Sequence, residues 1–380
     1  MQKTLSLSKN IPLFNKIKYF IRSHAVLTIA FILAVITSCI ITPDAQYADY
    51  IEFKTITCLF CTLAVVCALK NISFFTVIAR KIVNLTGNTR AAILSLVYIT
   101  FIGSMLIAND MALITFLPLG YFVLTSTDKQ KYMAFTFIMQ NIAANLGGML
   151  TPFGNPQNLY LYSKFNIPTG EFMSIMFFPF ICAVTLITVC CLFVKKERLT
   201  LTNDNSVKLN PKRTALYITL FIYSIVIVFN IVPYWTGLVI IPVVLFFADK
   251  KALKDVDYPL LLTFVCFFVF AGNMARIDII NNLFSKLLVK NTLVVSALSC
   301  QFISNVPSAI LLSQFTQNYA DLLVGVNIGG TGTLIASLAS LITFGEYTKH
   351  NPDKVKKYIL LFSAFNFGFL IILLILCSIF

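Results

Sequence analysis

The chain has 380 residues, 58% hydrophobic and only 12% charged, with 29 Lys and Arg against 15 Asp and Glu and a formal net charge of +14. That apolar fraction excludes a soluble domain built on one core and points to an all-α polytopic membrane protein. The positive charge does not indicate nucleic acid, because the Lys and Arg residues fall in short loops between apolar segments, as cytoplasmic loops do. The 10 cysteines, Cys190 and Cys191 among them, lack metal-ligand spacing and read as small core residues. His24 and His350 are the only histidines, so no His-rich metal site is expected. No nucleophile with its base and no ATP-binding P-loop is visible either, so neither an enzyme nor direct ATP coupling is expected.

The basic N-terminal stretch (Lys3, Lys9, Lys16, Lys18, Arg22) leads into an apolar segment from Val26 to Ile41 with no small-residue cleavage pattern after it. That segment is expected to be retained as a first helix near 26–43, leaving the N-terminus cytoplasmic in a multi-pass protein of the cell membrane. The acidic stretch 43–52 suits an outside loop, and a helix near 55–69 returns. Ile72, Phe75, Ile78, Ile82 and Leu85 then repeat at helical spacing, with Arg80, Lys81 and Asn84 on another face, which predicts an interfacial helix on the cytoplasmic side.

Next come apolar arms on either side of Asn109-Asp110, together spanning 91–124, with basic flanks at both ends. Loop charge favours a re-entrant hairpin, while two full crossings of about 20 residues each remain open. The segment 132–165 carries Asn145-Leu-Gly-Gly-Met-Leu-Thr-Pro-Phe-Gly-Asn-Pro-Gln-Asn158. Glycine, proline and carboxamides in an apolar segment leave backbone groups free, the mark of a broken membrane helix lining a polar site. The chain turns outside near 166–170 and returns to the most basic loop, with Lys195, Lys196, Arg198, Lys208, Lys212 and Arg213. Residues 200–213 therefore read as a cytoplasmic linker between a first repeat, 1–199, and a second, 214–380.

The second half adds helices near 214–231, 236–248 and 258–272, an odd number of crossings that inverts the orientation of the segments after them. An amphipathic segment over 277–290 is predicted at the outer face, with Ile277, Ile280, Leu283, Phe284, Leu287 and Leu288 as its apolar side. A second hairpin, 292–319, turns at Ser304-Asn305-Val306-Pro307. The broken motif returns within 320–345 as Asn327-Ile-Gly-Gly-Thr-Gly-Thr333, and a final helix ends outside. Each half thus reads as interfacial helix, hairpin, broken helix and whole helix in opposite orientation, an inverted-topology repeat.

The candidate site is built from these motifs. Hairpin tips at Asn109 and Asn305 bring helix ends and carboxamides towards the bilayer midplane, where partial charges can meet an ion. Asn145, Thr151, Asn155, Asn158, Ser304, Asn327, Thr331, Thr333 and Ser340 supply neutral donors and acceptors, Pro152 interrupts the first helix, and Gly147, Gly148, Gly154, Gly329 and Gly330 allow close backbone approach. Packing between helices is the competing explanation for any single small residue. Asp110 stands apart, because a carboxylate in an apolar hairpin by default marks an ion path or proton relay. A coupling sodium ion is expected near Asn109, Asp110, Asn145, Asn305 and Asn327, and a proton on Asp110 is the alternative; no other cofactor is expected.

Leu106-Ile-Ala-Asn-Asp-Met-Ala-Leu-Ile-Thr-Phe-Leu-Pro118, Asn145 to Asn158, Ser304 to Pro307 and Asn327 to Ser340 together resemble the ion transporter superfamily, over essentially the whole chain. That superfamily includes citrate-transporter-like permeases, divalent anion/sodium symporters and arsenite-efflux permeases. The Asn-Asp tip is similar to the arsenite type, whereas the Ser-Asn-Thr tips of the dicarboxylate symporters are replaced by Ala108-Asn109-Asp110 and Ser304-Asn305-Val306. Gln157 stands where a second proline is usual, and Leu334 and Leu338 replace prolines seen in some members. The resemblance implies a scaffold domain, a mobile transport domain carrying both hairpins, elevator-type alternating access, and often a homodimer. The expected function is secondary transport of a small anion, a carboxylate or oxyanion, driven by a sodium or proton gradient; arsenite-type efflux and sodium/proton antiport are the alternatives.

Overall fold

The structure is a computed structural model and describes residues 24–199 and 209–379. The basic N-terminal stretch up to Arg22, most of the expected linker (200–208, with Lys208) and Phe380 lie outside the described residues. In lipid each backbone polar group must be satisfied within the chain, and helices do this locally. Accordingly, the described residues form helices throughout, with one isolated bridge between Asn88 and Arg198.

The first half runs α1 (Ala25–Ile40), α2 (Phe53–Asn71), α3 (Phe74–Asn84), α4 (Thr89–Ile107), α5 (Asn109–Ser126), α6 (Met133–Gly147), α7 (Pro156–Lys164) and α8 (Thr169–Leu192). The second runs α9 (Pro211–Val228), α10 (Tyr234–Ala248), α11 (Tyr258–Ala275), α12 (Asp278–Lys290), α13 (Thr292–Ile303), α14 (Asn305–Leu312), α15 (Tyr319–Ile328), α16 (Leu338–His350) and α17 (Val355–Ile379). Six helical segments are long and apolar enough to cross a membrane: Phe53–Asn71, Thr89–Ile107, Thr169–Leu192, Pro211–Val228, Lys250–Ala275 and Pro352–Ile379. The element order from α2 to α8 recurs from α11 to α17.

Local sequence sets where the hairpins start. Asn88 accepts from the Ala91 N–H at 3.0 Å, and Asn291 from the Val294 N–H at 2.8 Å, each immediately before a threonine. Such a cap satisfies an orphan donor and contributes about 1 kcal/mol. The second hairpin is shorter than its expected span of 292–319, because α14 stops at Leu312 and Tyr319 already opens the next helix. Leu312 is followed by Ser313 and Gln314, whose side chains turn back to Tyr160, so the arm ends on a polar contact rather than continuing its apolar pattern.

Contacts between loops define the two ends of the bundle. At one end Glu197 pairs with Lys129 and Lys131, both at 2.6 Å, and Asn351 donates to the Met133 sulfur. At the other, Lys164 lies 3.5 Å from Glu52, Tyr319 donates to Glu171 at 2.6 Å, and Arg276 pairs with Asp44 at 2.7 Å. The first broken helix therefore runs from the Glu197 end to the Glu52 end, and the second, α15 to α16, runs the reverse way. This is the inverted arrangement expected from the loop charges. Asn145, which the first tip touches, lies about 18 Å along α6, and α7 continues for about 14 Å beyond the break. The tip thus meets the first broken helix part-way along its course, as a re-entrant hairpin does, while its first arm alone has the length of a crossing.

Both amphipathic helices turn apolar side chains outward. Helix α3 buries Val77, Ala79 and Val83, while Ile78, Ile82 and Leu85 are exposed, Leu85 at 87%. In α12 only Leu288 is buried, and Leu283 and Leu287 of the expected apolar side are exposed. A lipid-facing stripe on a surface helix requires this.

The Glu197 cluster carries a pH prediction. Hydrogen bonds from Lys129, then Lys131 and Tyr132, hold its carboxyl at about 2, below the ordinary 4.5. Because the folded value is the lower one, this stabilisation is present above about 4.5 and is lost as pH falls towards about 2. Thermal midpoints across that window should fall less steeply for Glu197→Gln than for the wild type; equal slopes would remove Glu197 from the acid response.

Candidate functional site

The two hairpin tips are the same device built twice. The residue before each asparagine takes a left-handed φ with an extended ψ, 64° and 152° at Ala108, 72° and 159° at Ser304. This region is sparsely populated by residues with a Cβ and costs of order 1–3 kcal/mol, so it persists only where its surroundings enforce it. The asparagine side chains help to do so. Asn109 Oδ1 accepts from the Asp110 N–H at 3.0 Å, and Asn305 Oδ1 from the Val306 N–H at 2.9 Å.

Each tip is locked to its own broken helix by matching contacts. Thr151 Oγ1 donates to the Met105 carbonyl at 2.8 Å, and Thr333 Oγ1 to the Gln301 carbonyl at 3.1 Å, each carbonyl one turn before the strained residue. Two turns before it, the hairpin backbone meets a glycine of the break. A Cβ on Gly147 would be driven into the Phe101 carbonyl oxygen, and one on Gly329 would lie 2.8 Å from the Ala297 Cα. Backbone cannot swing aside as a side-chain tip can, so Gly147→Ala should cost about 1–3 kcal/mol of stability through overpacking. Gly170→Ala, at a position with open space around it, serves as the control. A thermal midpoint for Gly147→Ala equal to the wild type's would refute the close approach.

A buried network of carboxamides joins the two halves. Asn109 Nδ2 donates to Asn145 Oδ1 at 3.2 Å, and Asn155 Nδ2 donates to the Asn145 carbonyl at 3.2 Å and to Asn327 Oδ1 at 3.3 Å. Asn327 Nδ2 donates to Asn158 Oδ1 at 2.6 Å, and Asn158 Nδ2 reaches the carbonyls of Gly148, Met149 and Thr151 freed by the break. The second tip closes on the same place: a Cβ on Gly330 would lie 3.1 Å from Asn305 Nδ2 and 3.8 Å from Asn145 Oδ1. The asparagines at 109, 145, 155, 158, 305 and 327 are all buried.

Other residues singled out in the sequence have local roles. Thr331 Oγ1 donates to the Ile328 carbonyl at 2.6 Å, Ser340 Oγ pairs with Ser337 Oγ at 3.0 Å at the start of α16, and Ser304 Oγ donates to the Ala336 carbonyl at 3.3 Å. Pro152 sits in the bend with no polar contact of its own, and Gly154 and Gly148 press together, so that a Cβ on Gly148 would lie 2.8 Å from the Gly154 carbonyl.

Sequence reasoning missed Gln301, Gln140 and Asn141. Gln301 closes the second break, donating to the carbonyls of Gly329 at 2.9 Å and Thr331 at 3.1 Å and accepting from the Thr333 N–H at 2.8 Å. It also crowds Gly332, whose φ of 115° a side chain would rarely adopt. The available signal was a lone amide in an apolar arm, one turn before the tip. Gln140 spans the first hairpin from Thr100 to the Phe116 carbonyl, and Asn141 donates to Asn366 of α17 at 3.3 Å.

Helices α5, α7, α14 and α16 start at this centre and α4, α6, α13 and α15 end there, so free N–H and C=O groups of both polarities face it. Four enclosed side-chain atoms here lack a partner: Asn145 Nδ2, a donor, and the acceptors Asn155 Oδ1, Gln157 Oε1 and Asp110 Oδ1. Gln157 Nε2 lies 3.4 Å from Asn327 Oδ1, which brings the residue that departs from the family's proline into the network. Among the described residues no Lys, Arg or His forms a salt bridge with Asp110.

Inverted broken helices and re-entrant tips meeting inside a bundle of membrane-length helices define a membrane transporter. The family model described as citrate transporter matches residues 13–323, and the chain belongs to that family. It is 36% identical to the uncharacterized transporter MJ0456 of Methanocaldococcus jannaschii over 294 residues, 77% of this chain and 80% of that protein. It is 29% identical to inner membrane protein YbiR of Escherichia coli over 278 residues, 71% of this chain and 73% of that one.

Proposed function

We propose that this transporter moves a small anion, a carboxylate or oxyanion, against its gradient by coupling it to sodium or proton movement. The observation that carries the reading is the shared centre: two inverted tips and two helix breaks whose free groups converge on one carboxamide network. Helix N-termini and Asn145 Nδ2 suit an anion, whereas helix C-termini and the acceptors of Asn155, Gln157 and Asp110 suit a cation or a proton. Neutral amides hold a charged substrate without the deep well that an ion pair would make, so release is compatible with binding.

In this reading the hairpins, broken helices, α8 and α17 move as one transport domain against a scaffold of α1, α2 and α9–α11, as in an elevator, and the scaffold also forms a homodimer in the cell membrane. The test is flux into proteoliposomes under imposed sodium or pH gradients, with citrate, smaller carboxylates, inorganic oxyanions and arsenite supplied in turn. Gradient-driven accumulation of one of the anions is expected. Folded, reconstituted protein that accumulates none of them under either gradient would overturn the reading, and accumulation of arsenite outward, or cation exchange with no anion, would replace it with an efflux or antiport function.

A further inference from the structure

Helices α2 and α11 cover the two inverted halves of the site unequally. The broken motifs run in step from Asn145 and Asn327 to the residues that open the second half-helices, Asn155 and Ser337, both extended. Continued in that register, Ser163 of α7 corresponds to Gly345 of α16, and Lys164 to Glu346. Helix α7, which leads from the centre to the Glu52 end, packs on α2, and every residue from Pro156 to Ser163 is buried. The Tyr160 ring lies 5.4 Å from that of Phe268 on α11, and Lys164 lies 3.5 Å from Glu52 at the head of α2. Helix α16, which leads from the centre to the Glu197 end, packs on α5 and α6 and makes no comparable contact with α2 or α11. It leaves a bare stripe: Leu338 and Leu341 are exposed at 37% and 39%, and a Cβ on Gly345 would meet nothing within 4 Å. The hairpin arms differ in the same sense. Ile310 of α14, which packs on α11, is enclosed, whereas Ile114, in step with it after the first tip, is exposed.

We propose, resting on the two-domain reading above, that this arrangement is the state open to the cytoplasm, latched on the outer side by Glu52 and Lys164, and that the bare stripe of α16 seats on α11 when the centre opens outward. The sides follow from loop charge, with the Glu52 end outside. The inverted repeat supplies the occupant of the stripe, since α11 stands to α16 as α2 stands to α7. The latch exists on one side only. Asp257 precedes α11 as Glu52 precedes α2, so seating α16 would bring a carboxylate towards Glu346 where the outer contact brings one to Lys164. Glu346 already holds Lys349 at 3.5 Å and His350 at 3.1 Å. The ion pair therefore favours the cytoplasm-open state, and a partly exposed pair of this kind shifts an equilibrium by a factor of about five at most.

Ser163→Cys and Gly345→Cys place a thiol at corresponding positions, the first close to isosteric and the second in open space. A membrane-impermeant maleimide is added to right-side-out or inside-out vesicles, and labelling is read at each position by peptide mass spectrometry, with no substrate or gradient present. Gly345→Cys should react from the cytoplasmic face, and Ser163→Cys from the outer face on the order of ten-fold more slowly, as its reaction waits on the minor state. Adding Lys164→Gln should speed the Ser163→Cys reaction by about two- to five-fold. Loss of a neighbouring cation would by itself disfavour the reactive thiolate, so a rise reports opening. Lys290→Gln, outside the latch, should leave the rate unchanged. If Gly345→Cys does not fold, Leu341→Cys takes its place on the stripe. Equal rates at the two positions, a faster Ser163→Cys, a stripe unreactive from the cytoplasmic face because lipid covers it, or a Ser163→Cys rate indifferent to Lys164→Gln would each overturn the proposal. Protein that labels as expected yet accumulates no anion would overturn only the transport reading.

Discussion

Asn145→Ala is expected to abolish gradient-driven anion uptake with a small loss of stability, and Asn327→Ala to abolish uptake with a clearly larger one. The difference lies in the bonds each side chain makes. Asn145 Oδ1 accepts one side-chain bond, from Asn109, its Nδ2 is already unpartnered, and the bond from Asn155 goes to its backbone carbonyl, which alanine keeps. Asn327 accepts from Asn155 and from Gln157 and donates to Asn158 and to the Leu323 carbonyl. Its removal leaves several buried groups unsatisfied at about 1–3 kcal/mol each, less whatever relaxation recovers. Uptake and thermal midpoint measured on both variants separate the cases. Wild-type uptake by Asn145→Ala would return that residue to packing, and an undisturbed midpoint for Asn327→Ala would show that it is no hub.

Asp110→Asn should uncouple transport. The side chain sits in the first turn of α5, with Oδ1 enclosed and unpartnered and no basic residue paired to it among the described residues. A carboxylate there must be matched by a bound cation or by its own proton. Asparagine keeps the shape and removes the charge. Accumulation driven by sodium or pH gradients should therefore collapse to the equilibrium ratio of about 1, while exchange of labelled substrate across the membrane survives. Stability should hold or rise, because the amide replaces a carboxylate that no cation of the described structure offsets. The second tip offers a control, since Val306 occupies the place of Asp110 after its asparagine and cannot titrate. Unchanged coupling in a stable Asp110→Asn protein would exclude the carboxylate from the mechanism.

The helices, both hairpin tips and both breaks were legible in the sequence because lipid punishes an unsatisfied backbone. A break inside an apolar segment must announce itself with glycine, proline or a carboxamide, as at Asn145 to Asn158 and Asn327 to Thr333. Loop charge gave the opposite running directions of the halves for a similar reason, since Lys and Arg collect on one side of a membrane. Contacts made across the fold were not legible. Nothing near Gln301 in the chain says that its amide closes a break at Gly329 to Thr333, or that Asn141 meets Asn366. A polar residue in an apolar helix declares that it needs a partner, and its neighbours in sequence do not say which.

The kinds of element and their order are thus written locally in the chain: membrane helices, re-entrant tips at Asn109 and Asn305, paired breaks, and Asp110 as the one acidic residue within an apolar hairpin. Packing of the helices against one another set how deep the first tip goes, where α14 stops, and which of the candidate polar residues meet at the centre. It drew the asparagines at 109, 145, 155, 158, 305 and 327 together and left Thr331 and Ser340 to bonds within their own turns. The physical reason is range. Hydrophobic length, helix breaking and charge asymmetry are properties of neighbouring residues, whereas a hydrogen bond between carboxamides depends on distances that only the packed helices fix.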